Sequence, residues 1–231
     1  MTGRGVVAVA LAAAGCGHVG FDRSADTAAD GGGDGGGGGG DGMQAAAPLG
    51  GLTDNFDSGS LAAFWTPYVD SPSTYQLTGG QLVLDLAANV AGVYVGTQVL
   101  TTNDLHEHAA TIEAVTSTAT NNCGCYLILA TTDGSQAVGL VENSGMLEAR
   151  IGNSNFVTIP YDPVAHLWWQ IVEHAGTTTW QASPDGRTWT AFASTATMAF
   201  ESAIQVNLGG GTQGSTASPG QCIYDNFDLP P

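Results

Sequence analysis

Lysine is absent from this chain, and basic residues of any kind are few. Four arginines stand against 21 acidic residues, which gives a formal net charge of −17. From Leu49 onward only Arg150 and Arg187 are basic. A protein that binds nucleic acid needs a basic surface to neutralise phosphates. We therefore expect no nucleic-acid partner.

The apolar run nearest the N-terminus, Val6–Ala14, is also too short to cross a membrane, which takes about 20 residues. It follows Arg4 and ends in small residues before Gly15-Cys16. A basic start, an apolar centre and a small-residue end are typical of a secretory signal peptide. The sequence thus predicts a signal peptide over residues 1–15.

Ala-Ala-Gly followed by Cys16 resembles the lipobox of bacterial lipoproteins, although Ala13 stands where that pattern prefers leucine. The resemblance implies that Cys16 is lipidated and anchors the chain to a membrane. Gly17, which stands where aspartate would favour the inner membrane, implies the outer membrane of a Gram-negative bacterium, on its periplasmic or its outer side. A plain signal peptide with an incidental cysteine is the alternative.

Residues 31–42 consist of ten glycines and two aspartates. Glycine loses the most backbone entropy on ordering and has no side chain to bury. We therefore predict a disordered tether over residues 16–48, followed by one folded domain over residues 49–231.

Cysteine is scarce, since the chain has four. If Cys16 carries lipid, three remain for an exported domain in which disulfides can form. We predict one bridge from Cys222 to Cys123 or to Cys125. The Cys-Gly-Cys pair lacks the further ligands that a zinc site needs.

Convincing helical periodicity is missing from the folded part, where only residues 61–65 suggest a single helical turn. Instead, apolar and polar residues alternate with period two in short segments separated by turn signals such as Pro184-Asp185-Gly186. The predicted strands cover residues 81–86, 93–100, 110–115, 125–131, 137–142, 146–151, 155–159, 167–173, 177–183, 189–193, 204–208 and 222–229. Regular short strands of this kind predict an all-β sandwich.

Several segments, in order, resemble a concanavalin A-like lectin/glucanase (LamG-like) domain. They are Asp54-Asn55-Phe56-Asp57, Gly80-Gln81-Leu82-Val83-Leu84, residues 166–171 with residues 179–189, and the closing residues 223–229. The resemblance implies an antiparallel jelly-roll sandwich of two sheets, with a curved face that often binds sugar.

The enzymes of that fold family cleave polysaccharides with acids in an E-x-D-x-E pattern on one strand, which this chain lacks. The acids on predicted strands each stand alone: Glu113, Glu142, Glu148 and Glu173. His106 and His108 flank Glu107, but two histidines without a third ligand are weak support for a metal site. We expect no catalytic residue, no metal and no cofactor.

Flat aromatic rings can stack on sugars, although sandwich cores also use tryptophan. Trp168, Trp180 and Arg150 are the candidate ligand-binding residues. The sequence thus favours a non-catalytic, lectin-like binding or adhesion domain, with carbohydrate as its partner. The alternatives are a protein-binding or structural surface domain, or a glycoside hydrolase with an unrecognised site.

Overall fold

The computed structural model describes residues 47–117 and 122–229. The predicted signal peptide, Cys16 and nearly all of the predicted tether lie outside the described residues. The last two tether residues, Ala47–Pro48, form a short strand, so ordered structure begins slightly before the predicted boundary.

The described chain consists almost entirely of strands. They are β1 Ala47–Pro48, β2 Trp65–Val69, β3 Thr74–Thr78, β4 Gln81–Asp85, β5 Val93–Val99, β6 His108–Ser117, β7 Cys123–Ala130, β8 Ala137–Asn143, β9 Met146–Ile151, β10 Ser154–Pro160, β11 Trp168–His174, β12 Thr177–Ser183, β13 Thr190–Ala196, β14 Gln205–Thr212 and β15 Gln221–Asp225. Two short 3₁₀ helices span Leu49–Gly51 and Ala199–Ser202. No helix of the described residues is long and apolar enough to span a membrane.

These strands form two sheets that pack face to face, and neighbouring strands run antiparallel except for β1, which pairs parallel to β6. The seven-stranded sheet has the order β10-β9-β8-β7-β14-β5-β2. The eight-stranded sheet has the order β13-β12-β11-β6-β15-β4-β3, with β1 beside β6. The predicted jelly-roll β-sandwich is confirmed.

The core lies between the sheets and is built from alternate residues of their strands, because successive side chains of a strand point to opposite faces. Trp169 and Trp180 of the eight-stranded sheet are fully buried there, as are Leu127 and Leu208 of the seven-stranded sheet. The remaining residues of each strand therefore form the two outer faces.

One disulfide crosses this core. Cys125 of β7 bonds to Cys222 of β15, with their Cα atoms 5.6 Å apart. The bridge joins the two sheets and settles the partner of Cys222, which the sequence left open between Cys123 and Cys125. Cys123 is also buried on the core side of β7.

Several segments differ from the predictions. The edge strand β3 was not predicted, and the last strand ends at Asp225 and not at residue 229. Strand β2 was not predicted because it contains Pro67, which lacks a backbone N–H, but as an edge strand it tolerates proline. Within residues 61–65 the chain makes one hydrogen-bonded turn, in which the Trp65 N–H donates to the Ala62 carbonyl oxygen at 2.9 Å, and no longer helix. Strand β14 continues to Thr212 through Gly209, Gly210 and Gly211, residues that usually weaken a strand.

Candidate functional site

A groove crosses the outer face of the seven-stranded sheet from β2 to β9. Its floor and walls mix aromatic, amide and small apolar side chains with single charges. Its principal residues are Tyr68, Asp70, Tyr94, Gln98, Tyr126, Ile128, Val141, Arg150 and Asn207. Strand spacings of about 4.8 Å make the groove roughly 24 Å long.

Glycines form the floor in the middle of the groove. Gly96 of β5 pairs with Gly209 of β14, and both stand between Tyr68 of β2 and Tyr126 of β7 in one cross-strand row. A Cβ atom on Gly96 would lie 2.7 Å from the Tyr68 hydroxyl oxygen. A Cβ atom on Gly209 would lie 2.8 Å from the Tyr126 hydroxyl oxygen and closer still to that of Tyr68. The two rings therefore lie across the sheet and rest directly on glycine backbone.

The same two tyrosines are joined to each other. Their hydroxyl oxygens are 2.9 Å apart and share a hydrogen bond. Burial raises the pKa of both phenols well above the ordinary value, so both hydroxyls stay protonated at neutral pH. We call this joined pair of rings, Tyr68 and Tyr126, the tyrosine platform.

A third ring extends the aromatic surface beside the platform. Tyr94 of β5 pairs with Gly211 of β14, and a Cβ atom on Gly211 would lie 2.8 Å from Tyr94 Cε1. Asp70 stands at this end of the groove, where its carboxylate accepts a hydrogen bond from the Tyr94 backbone N–H at 3.1 Å. The charge of Asp70 also raises the pKa of Tyr68 and Tyr126.

The next row of the groove is polar. Gln98 of β5 pairs with Asn207 of β14, and Asn207 pairs with Ile128 of β7. Neither of these amide side chains hydrogen-bonds to another described residue, and both line the groove. Each amide can both donate and accept hydrogen bonds. They are therefore available to a polar ligand.

An ion pair lies at the β9 end. Arg150 Nε and Nη2 donate to Glu148 Oε2 at 2.8 and 2.5 Å, and the Glu148 side chain is only 6% exposed. Two of the five guanidinium N–H groups are thereby used. The pair fixes the guanidinium at the groove wall and leaves further donors for a ligand.

The acids of this face cannot act as a pair on one bond. Asp70 follows β2 and Glu148 lies on β9, so about five strand spacings, or roughly 24 Å, separate them. The paired carboxylates of glycosidases stand roughly 5–9.5 Å apart. Among the described groove residues, Asp70 is the only acid that lines the groove itself.

The three residues predicted to bind ligand do not meet. Trp180 is completely buried in the core, where its Nε1 donates to the Gly139 carbonyl at 2.9 Å. Trp168 points to the outer face of the eight-stranded sheet, because its neighbour Trp169 points into the core. Only Arg150 lines the groove. The proposed grouping fails because both tryptophans belong to the opposite sheet.

The His-Glu-His segment lies away from the groove, at the start of β6. His106 Nδ1 pairs with Asp104 Oδ1 at 2.5 Å, and His108 Nδ1 pairs with the His106 carbonyl oxygen at 2.6 Å. Residues 47–117 and 122–229 contain no group of three or more side chains placed to hold a metal ion.

Solved structures share this architecture. A laminarinase from Flavobacterium sp. UMI-01 superposes with a TM-score of 0.56 over 76% of this chain and 97% of its own, at 7% identity. A β-glucanase from Bacillus licheniformis gives a TM-score of 0.54 over 79% and 96%, at 9% identity. Crh5 transglycosylase in complex with NAG gives 0.54 over 78% and 84%, at 10% identity. The fold is concanavalin A-like.

No protein-family model and no curated protein matches the chain. The proteins just named are glucanases and a transglycosylase. They overturn the expectation of a non-catalytic lectin-like domain, and with it the expectation that the chain is not an enzyme. That expectation rested on the missing E-x-D-x-E pattern, which the structure does not supply in another form among the described groove residues.

Proposed function

We propose that this protein is a polysaccharide-acting enzyme, of the hydrolase or transglycosylase kind, which takes a glycan chain across the groove of its seven-stranded sheet. The tyrosine platform carries the proposal. Tyr68 and Tyr126 rest on glycine and hold each other by a hydrogen bond, so their outer faces are preorganised. Preorganised groups bind at a lower entropic cost.

The surroundings of the platform suit a sugar. A pyranose ring has apolar faces that stack on aromatic rings and hydroxyl groups around its rim that need hydrogen bonds. Gln98 and Asn207 offer free amides one row from the platform. The groove crosses the strands from β2 to β9, which suits a chain rather than a single sugar. The solved structures with this fold include laminarinases, a β-glucanase and a transglycosylase in complex with NAG.

We assign Asp70 as the reacting carboxyl group. It lines the groove beside the platform, whereas Glu148 is held by Arg150 and is nearly inaccessible. As general acid, Asp70 would donate its proton to the glycosidic oxygen while the C–O bond breaks. A water molecule, or a hydroxyl group of a second sugar in the transfer reaction, would bond to the anomeric carbon and release its own proton to solvent. The phenols remain protonated, so they act as hydrogen-bonding partners of the substrate and not as nucleophiles.

The test uses the full chain with laminarin, mixed-linkage β-glucan and N-acetylglucosamine oligomers. Binding is measured by calorimetry, and cleavage or transfer by mass spectrometry of the products. We expect Asp70→Asn to abolish turnover while binding persists, and Tyr68→Ala to weaken binding. Asp133→Asn, in the loop after β7, is the matched control and should change neither. If Asp70→Asn turns over at the wild-type rate, Asp70 is not the reacting carboxyl group. If the wild type binds a glycan without turning it over, the protein is not an enzyme for that glycan.

We also propose that Cys16 is lipidated and holds the enzyme at the cell envelope, as the signal-peptide pattern suggests. Fractionation of cells that express wild type or Cys16→Ala tests this. Membrane association of the wild type that is lost in the variant supports the anchor. Equal partition of both into the soluble fraction contradicts it.

A further inference from the structure

The apolar residues of the groove form a cluster of their own, separate from the core between the sheets. Ile128, Ala130 and Ala137 pack together on the outer face, with Tyr126 against them. Ile128 and Ala137 also line the groove. This cluster offers a second apolar contact surface in the groove, made of small aliphatic side chains and not of aromatic rings.

Polar groups stand on both sides of this apolar cluster. Asn207 pairs with Ile128 on one side, and Arg150 pairs with Gly139 on the other, in a single cross-strand row. The Asn207 amide has no partner among the described residues, and Arg150 keeps guanidinium N–H groups beyond those bound to Glu148. Along this row the Asn207 amide offers a hydrogen-bond acceptor, Ile128 an apolar floor and Arg150 hydrogen-bond donors. We call it the niche.

We propose that the niche binds the acetamido group of a 2-acetamido sugar, so that the polysaccharide taken by the groove contains N-acetylated sugars. This inference rests on the proposed function. An acetamido group has a methyl, an N–H and a carbonyl oxygen. The methyl contacts Ile128 and Ala137, the N–H is accepted by the Asn207 side-chain oxygen, and the carbonyl oxygen faces the guanidinium of Arg150. The sugar ring then lies toward Tyr126.

Gly139 has a specific role in this niche. A Cβ atom there would stand 3.1 Å from Ile128 Cγ1 and 3.3 Å from the Leu127 carbonyl oxygen. A side chain at this position would therefore fill the space between Ile128 and Arg150. The glycine keeps the apolar floor open, as a small ligand group requires.

The experiment compares two ligands that differ only in the group at issue. N-acetylglucosamine hexamer and cellohexaose share length and β-1,4 linkage, but the second has a hydroxyl in place of the acetamido group. Calorimetry with the full chain should give at least tenfold tighter binding of the acetylated hexamer. Ile128→Thr should remove most of that preference and leave cellohexaose affinity within about twofold. Asn207→Leu should also remove most of the preference, but it should weaken cellohexaose as well, because the Asn207 amide lies in the groove that takes both hexamers.

Tyr68→Ala serves as the matched control, since it lies outside the niche and should weaken both hexamers by the same factor. Equal affinity of wild type for the two hexamers would overturn the acetamido inference and leave the groove as a glycan site. Binding of neither hexamer, together with no binding of laminarin or mixed-linkage glucan, would overturn the proposed function as well. An unchanged preference in both niche variants would also refute the inference, provided that their melting temperatures show intact folding.

Discussion

A single methyl group at Gly209 should lift the tyrosine platform. Ordinary contacts between heavy atoms are about 3.5–4.0 Å, whereas the Cβ atom of Gly209→Ala would stand 2.8 Å from the Tyr126 hydroxyl oxygen. The shortfall is about 0.7–1.2 Å, and it is larger at Tyr68. Both hydroxyls are the far ends of side chains, so the rings can tilt away. Their mutual hydrogen bond then breaks.

The variant should affect stability little and binding strongly. Losing the hydrogen bond costs about 0.5–1.5 kcal/mol, and replacing glycine by alanine inside a strand returns about 0.5–1 kcal/mol. The two nearly cancel, so the melting temperature should move by less than about 4 °C. Two displaced rings, at about 0.5–1.5 kcal/mol each, lower glycan affinity by about 5- to 150-fold.

Two assays test this reasoning. In a spectrophotometric pH titration, the wild-type phenols of Tyr68 and Tyr126 should ionise well above the ordinary tyrosine pKa because they are buried. In Gly209→Ala, both should ionise at lower pH. Calorimetry with the glycan that wild type binds best gives the affinity. A double-mutant cycle with Tyr68→Ala completes the test, because the methyl should cost less binding once Tyr68 is gone. If the effects of Gly209→Ala and Tyr68→Ala on the binding free energy are strictly additive, or if the phenol titration of Gly209→Ala matches that of wild type, the two tyrosines do not form a glycan-binding platform on Gly209.

Three further outcomes are expected. Replacing Cys125 and Cys222 by alanine should lower the free energy of unfolding by about 2–5 kcal/mol in urea titrations, and peptide mapping that finds Cys222 bonded elsewhere would contradict the bridge. Burial raises the pKa of Asp228 above its ordinary value of 3.8, so the native state holds a proton that the unfolded chain releases, and this group's contribution to stability falls as pH rises above 3.8. Asp228→Asn, which cannot ionise, should flatten that part of the stability–pH curve, and an unchanged slope would count against it. Backbone N–H groups lower the pKa of Asp185 to about 2, so its stabilisation is present above pH 4 and is lost as pH falls toward 2; an NMR titration midpoint near 3.8 would contradict this.

The strands of the sandwich were predictable because alternation is a local property. One face of each strand is buried, so apolar residues recur at every second position in segments such as residues 81–86 and 177–183. The edge strand β2 was not predicted, because Pro67 interrupts the alternation of apolar and polar residues. The pairing of Cys222 also stayed open, since Cys123 and Cys125 share a face and the sequence cannot say which one lies opposite β15.

The groove was not predictable in the same way. Tyr68, Tyr94 and Tyr126 are far apart in the sequence and lie on three different strands, and only the strand order brings them over one glycine strand. The adjacent pair Trp168-Trp169 shows that one ring faces each side, but alternation does not tell which side is the core. The sequence does contain one local signal of the groove. Three consecutive glycines beside a predicted strand can mark the close approach of other groups.

The parallel strand β1 fixes the side of the sandwich at which the described chain begins. It joins the eight-stranded sheet at His108 and Ala109, and Asp228 fixes the adjoining residue by accepting the Leu49 backbone N–H. The chain that precedes residue 47 is therefore attached to the back of the sandwich, and the groove is at the front. A pull on the N-terminus is taken up by β6 in the middle of a sheet and not by the strands that carry the tyrosines. The anchor and the glycan that we propose would thus act on opposite sides of the sandwich, the first behind the eight-stranded sheet and the second in front of the seven-stranded sheet.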